Sequence, residues 1–301
     1  MTDTRPPAMF VADARGLDFL NSFAIPGDAA VEWLGSGAAL LDWLEAAGWA
    51  DRPALDELRA TATPSALDAV AAQARALREW LRHTEEAANF RDKGDYIKAE
   101  QRLNMAIREI RPYLPETRRN LARSYSELAR VLYHQKRYAD AEPLARWALS
   151  VRESDAKAKP ESVFQCVYAL ALIQSAQKHH AEAESLFKRA LALQEENLGP
   201  EHINSNLILN QLATVYVEQK KYTDAEPLYV RSIAILERKR PTENLDLAET
   251  AEKYAALLGL MNRTNDAARW NARARTIRET VAAKEAQARA DRLADQFRGY
   301  R

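Results

Sequence analysis

The pattern of apolar and polar positions repeats every 42 residues over the C-terminal two-thirds of the chain. QKRYADAEP at 135–143 returns as QKKYTDAEP at 219–227, with QKHHAEAES at 177–185 halfway between. Steps of 42 from Tyr96 reach Tyr138, His180, Tyr222 and Thr264. Three residues on, the same step gives Ala99, Ala141, Ala183, Ala225 and Ala267. Two further small-residue columns run in register: Ala106, Ala148, Ala190, Ser232 and Ala274, and Ala87, Ala129, Ala171, Ala213 and Ala255. Small residues at fixed offsets let two helices approach closely. Leu128, Leu170, Leu212 and Tyr254, beside the last column, supply bulk. Each copy therefore predicts an antiparallel helix pair that cannot bury its own apolar face. Stacked neighbours complete the core, so the expected fold is all-α, a right-handed superhelical solenoid over 83–279. Copies are expected to start near 83, 121, 163, 205 and 248. The charged, Ala-rich stretch 280–298, with Val281, Leu293 and Phe297 as apolar anchors, suits a capping helix within a tail at 280–301.

The first 82 residues predict a small helical domain. RGLDFLNSF (15–23) reads as a short apolar helix, GSGAALLDWLEAAGW (35–49) as an amphipathic one and RPALDELRA (52–60) as another. SALDAVAAQARALREWLR (65–82) closes the unit, with Ser65 as a candidate N-cap and Asp68 three residues on. No Pro or Gly falls between Pro64 and Gly94. The junction near residue 83 is therefore expected to be helical on both sides, as one helix or two with a tight break, at a fixed interdomain angle.

Composition supports a globular helical chain: 47% hydrophobic, 29% charged and nine glycines in 301 residues. Lys+Arg and Asp+Glu are both 43, so net charge gives no argument for nucleic acid or an anionic membrane. The chain is uneven, however. Residues 1–82 hold seven Arg and twelve Asp/Glu, and the first lysine is Lys93. Four of the six tryptophans, Trp33, Trp43, Trp49 and Trp80, also lie in this first segment, where they are read as core. The single Cys166 excludes an intrachain disulfide and a Cys-based zinc site. No apolar run suits a signal peptide or a membrane span, and a cytoplasmic protein is expected.

The columns resemble the tetratricopeptide repeat, with a small-residue pattern, an aromatic at the turn and an Ala opening the second helix. The 42-residue spacing exceeds the usual 34 and, with residues 185–237, is similar to the kinesin-light-chain type. The first segment (about 10–82) resembles the bacterial ABATE domain, described as a stress-induced transcription regulator. The match runs through Leu17-Asp18-Phe19-Leu20-Asn21-Ser22, Leu40-Leu41-Asp42-Trp43 and Ala76-Leu77-Arg78-Glu79. That family usually continues into a cysteine-bearing CGNR zinc ribbon thought to contact DNA. A chain with one cysteine has no such ribbon, so no direct nucleic-acid binding is expected.

The repeat resemblance implies a peptide groove on the first helix of each pair. Carried over, its positions are Arg123, Ser126, Arg130 and Tyr133, then Gln165, Tyr168 and Ser175, then Asn210 and Thr214. Two guanidiniums seven residues apart, with tyrosines beside them, suit an acidic or C-terminal carboxylate peptide. Asp18 and Asn21 are candidates for a ligand or interface in the first domain. His180 and Glu184 share a helix face, but His180 stands in the aromatic turn column, so no metal is expected. No HExxH, Walker, GxGxxG or nucleophile-elbow motif is present. The expectation is a non-catalytic scaffold or adaptor without a cofactor, binding a protein or peptide partner. The alternative is a stress- or ligand-responsive transcription regulator with the first domain as sensor and the repeats as recruitment surface.

Overall fold

The computed structural model describes residues 36–46, 52–114, 117–239 and 245–298. Every regular element among them is helical: α1 Gly37–Ala46, α2 Arg52–Thr61, α3 Pro64–Asp92, α4 Tyr96–Ile110, α5 Arg118–His134, α6 Tyr138–Glu153, α7 Pro160–Ala176, α8 His180–Leu198, α9 Ser205–Glu218, α10 Tyr222–Lys239, α11 Leu245–Leu260 and α12 Thr264–Arg298. A 3₁₀ turn, Arg111–Tyr113, follows α4. None of these helices is long and apolar enough to cross a membrane. The chain divides into two compact units, residues 1–137 and 138–301.

The 42-residue register sets the helix boundaries. The second helices α4, α6, α8, α10 and α12 open on Tyr96, Tyr138, His180, Tyr222 and Thr264, the residues of the turn column. Two residues before each start the backbone is left-handed, at Gly94 (φ 77°), Lys136 (63°), Lys178 (65°), Lys220 (60°) and Asn262 (61°). The next N–H then donates back to a carbonyl five residues earlier: Asp95 to Phe90, Arg137 to Leu132, His179 to Gln174, Lys221 to Tyr216 and Arg263 to Leu258. These bonds close the helix C-terminus in a Schellman arrangement. Glycine takes this conformation freely, whereas the lysines and Asn262 pay a steric cost.

In unit 1, α1 packs on α3, α3 on α4 and α4 on α5. Trp80, Leu103, Ile110, Leu40 and Leu55 are its large, fully buried side chains. Thr63, not Ser65, caps α3: its hydroxyl accepts from the Ala66 N–H, and Pro64 takes the first turn. Asp68 instead accepts from the Gly37 N–H at 2.7 Å and so serves the start of α1. The helices are pressed together there, because a Cβ at position 37 would sit 2.2 Å from that of Leu67. α3 runs unbroken through residue 83, so the helical junction takes its one-helix form.

In unit 2 each helix from α6 to α12 packs on the next. The small-residue columns form the contact surface. Across both units all their members are buried except Ala267. Phe187, Ile173, Ile208, Leu209, Ile235 and Leu236 fill the space between them. No break separates 280–298 from the last repeat. α12 continues to Arg298, and residues 282–292 are exposed along it.

Candidate functional site

The sequence candidates on α5 lie in unit 1. Arg123 is exposed, its guanidinium 5.7 Å from the centroid of the Trp80 ring. Trp80 is itself fixed, donating its indole N–H to Ser124 Oγ at 2.7 Å in a buried bond between α3 and α5. Arg130 is half-buried and paired to Glu127 Oε1 at 3.2 Å. The other oxygen of Glu127 accepts from Arg91 of α3. One carboxylate thus serves two guanidiniums, while Arg123 forms no ion pair among the described residues. Burial first, then the nearby Arg130 and Arg91 charges, push His134 below the usual imidazole range. His134 stacks on Tyr96 at 4.8 Å and meets Tyr133 edge-on at 5.5 Å. Ser126 is buried. A cavity of about 130 Å³ is lined by Thr84, Ala87, Ala88, Leu103 and Val131 together with Arg91, Arg123 and Glu127.

The unit 2 candidates have different surroundings. Gln165 is exposed and donates to Glu161 at 3.1 Å. Tyr168 stacks near Phe164 at 5.9 Å and meets Phe187 at 6.0 Å in a tilted edge contact. Ser175 is half-buried. Asn210 is 6% exposed and donates to Thr250 Oγ1 of α11 at 2.7 Å. The Thr214 hydroxyl donates to the Asn210 carbonyl at 2.8 Å and lies 3.3 Å from the Tyr229 hydroxyl. Asn210 and Thr214 therefore hold helices together within the repeat stack. Asp18 and Asn21 lie outside the described residues, as do Trp33, Trp49 and the Trp43 side chain.

The repeated QK motif has a role that the sequence reading missed. A glutamate recurs at Glu100, Glu142, Glu184 and Glu226, four residues after the start of α4, α6, α8 and α10, and side chains of the next copy reach back to it. Gln135 donates to Glu100 at 2.9 Å and Arg137 pairs with it at 2.8 Å. Gln219 donates to Glu184 at 3.1 Å and Lys221 pairs with it at 3.0 Å. Arg263 and the Tyr254 hydroxyl bond Glu226 at 2.6 and 2.8 Å. The Lys188 ammonium, together with Lys221 and Gln219, outweighs the desolvation that opposes them and holds the Glu184 carboxyl down to about 2. Burial, then the bond to Glu226, pushes the Tyr254 hydroxyl up to about 12. The signal was legible in principle: Glu at 100, 142, 184 and 226 and Gln at 135, 177 and 219 keep the 42-residue step, with Arg137, Lys221 and Arg263 at the cation position.

Two family models match the chain, and the N-terminal match extends past residue 82 into the copies expected from 83. Residues 164–238 and 204–280 match the family model described as "Tetratricopeptide repeat". Residues 13–155 match the ABATE model, described as "Putative stress-induced transcription regulator". Among curated proteins none matches the sequence. Solved structures share the fold at low identity. BtubC (BKLC) from P. vanneervenii is 18% identical, covers 85% of this chain and 93% of its own, and gives a TM-score of 0.60. A "Podosopora anserina putative kinesin light chain" with nearly identical TPR-like repeats is 19% identical, over 68% and 97%, at 0.58. A Rap protein complexed with competence and sporulation factor is 14% identical, over 86% and 69%, at 0.55.

Proposed function

We propose that this chain, which carries tetratricopeptide repeats over 164–280 behind an ABATE-like segment, is a non-catalytic protein-interaction scaffold. Its partner is a peptide or protein segment bearing carboxylates, and the contacts fall on the first helices of the pairs. The observation that carries the reading is the charge arrangement on α5. Arg91 and Arg130 share the carboxylate of Glu127, Arg91 also pairs with Asp92, and Arg123 is left exposed without an ion pair among the described residues. A planar guanidinium fork in that state is suited to an incoming carboxylate. Exposed Gln165, half-buried Tyr168 and Ser175, and the inward Asn210 and Thr214 add neutral polar and aromatic character on α7 and α9. Repeat proteins of this fold include one solved with a bound factor. The absence of a nucleophile, phosphate-loop or zinc-hydrolase motif from the sequence favours binding over catalysis.

A second reading rests on the ABATE match over 13–155: a regulator whose first unit senses a ligand and whose repeats recruit a partner. The domain division in both readings places the first function within residues 1–82 and the repeats over 83–279. A display-library selection against the full chain tests the scaffold. Enrichment of acidic sequences is expected. Selection of motifs with no acidic preference, or of none, would set the reading aside.

A further inference from the structure

Where α8 packs on α9, the buried layer is polar at positions that are apolar one copy later. Gln194 on α8, and Ser205 and Asn206 at the start of α9, are each at most 3% exposed. Gln194 Nε2, Ser205 Oγ and Asn206 Nδ2 have no hydrogen-bond partner among the described residues. Ser232 of α10, fully buried in a column that otherwise reads alanine, donates at a long 3.5 Å to the Asn206 carbonyl. One 42-residue step on, the positions of Gln194, Ser205 and Asn206 read Leu236, Leu247 and Ala248, each at most 1% exposed. One step back, the two α9 positions read Val163 and Phe164. Native proteins pair nearly all their buried polar groups, so three orphans in one layer mark it out.

A repeat array is held by the coupling of each copy to its neighbours, so its weakest layer decides where it opens. Opening a layer filled by leucine exposes apolar surface to water. Opening the α8–α9 layer instead hydrates groups that the closed state leaves unpaired, and so recovers the desolvation they lost on burial. The rim does not reverse this balance. Arg231 with Glu195 at 2.6 Å and Lys221 with Glu184 at 3.0 Å tie α8 to the next copy, but these pairs are open to water and contribute modestly. The connection starts at Gly199, φ 87°, where nothing lies within 4 Å of a Cβ, so it adds no packing of its own. We propose that the α8–α9 layer is the opening point of unit 2: α8 stays with α6 and α7, and the helices from α9 onward part from it together. The proposal stands independently of the scaffold reading. Its consequence is that the spacing between α7 and α9, both first helices of their pairs, is adjustable.

Native-state hydrogen exchange of the full chain, read peptide by peptide by mass spectrometry, tests it. Protection is expected to fall about tenfold from α8 to α9, with α9 and α10 exchanging together. Gln194→Leu and Asn206→Ala install the residues found one copy later, and each is expected to raise α9 protection about threefold. Leu236→Gln makes the reverse exchange and is expected to lower α11 protection about threefold without changing α8. A wild-type step that falls at 239–245 instead, or no step at all, overturns the proposal. So does α9 protection that is unchanged or lowered in both Gln194→Leu and Asn206→Ala, or α11 protection unchanged in Leu236→Gln. Should Gln194→Leu or Asn206→Ala fail to fold by circular dichroism, the other decides. Should both fail, Ser205→Ala, which removes a hydroxyl without adding bulk, is judged by the same rise in α9 protection.

Discussion

α5 and α9 stand two copies apart in the same register, and they use it for opposite chemistry. Positions 123, 165 and 207 are one column, exposed in all three copies, and they read Arg, Gln and Leu. Positions 126, 168 and 210 read Ser, Tyr and Asn; positions 130, 172 and 214 read Arg, Leu and Thr. On α5 two of these places hold cations, one without an ion pair among the described residues. On α9 the corresponding polar groups are consumed by Thr250 and by the backbone of α9 itself. Meanwhile the small-residue columns of the same copies stay small, the one change being Ala148 to Ser232. The repeat keeps its contact residues constant and varies the first-helix positions between them. The fold is therefore carried by the constant columns, and the proposed function places recognition on the variable ones.

The sharpest way to break this division is to disturb a constant column. Ala183→Leu or Ala225→Leu forces a larger side chain against a packed neighbour and should cost about 1–3 kcal/mol. The exposed Ser185 lies two residues beyond the first of these positions, and Ser185→Ala should stay within about 0.5 kcal/mol. Coincident urea midpoints for the three variants would mean that the columns are not packing sites.

Next in size is the test of α9 itself. Asn210→Ala leaves the buried Thr250 without its donor and should destabilise by about 1–2 kcal/mol. Arg123→Ala, by contrast, should change stability by less than about 0.5 kcal/mol. Equal losses for the two would erase the contrast between the helices.

The clasp between copies comes third. Glu184→Gln should cost about 1 kcal/mol at neutral pH, discounted for partial exposure of its lysine partners. The folded carboxyl titrates at about 2 against an ordinary value of 4.5, so its stabilisation is present above about pH 4.5. That stabilisation is lost as pH falls through the folded value. The gap in Tm between wild type and Glu184→Gln should therefore close between about pH 4.5 and 2. A gap that widens in acid would contradict the clasp. The smallest effect is a gain. Lys178→Gly relieves a left-handed backbone and should stabilise by about 0.5 kcal/mol, whereas the same change at Lys188 in mid-helix should destabilise by about 1 kcal/mol.

Most of the architecture was legible because packing imposes periodicity. Tyr96, Tyr138, His180, Tyr222 and Thr264 mark the helix starts, and the alanine columns mark the contacts. Thr63 was hidden behind Ser65 because both can cap, and Pro64 at the first turn decided between them. Asp68 was read locally, but its partner Gly37 is 31 residues away. Long-range partners explain the rest. Trp80, Arg91 and Glu127 come from two helices that no spacing rule links. The repeated glutamates answer to side chains one copy later. The inward turn of Asn210 depends on Thr250, 40 residues on, so exposure could not be read from register alone.

In the proposed function, recognition resides in the cations of α5. It is tested most directly by titrating one library-selected acidic peptide into the full chain, Arg123→Ala/Arg130→Ala, and Thr214→Ala, each at rising salt. At least a tenfold loss is expected in the α5 variant, since charge-assisted bonds contribute about 1.5–3 kcal/mol each. A salt dependence that weakens with those arginines is also expected, as screening acts within about 8–10 Å. Thr214→Ala should bind within about twofold of wild type, a difference below about 0.5 kcal/mol. Undiminished binding by the α5 variant, or an equal loss in Thr214→Ala, would contradict it.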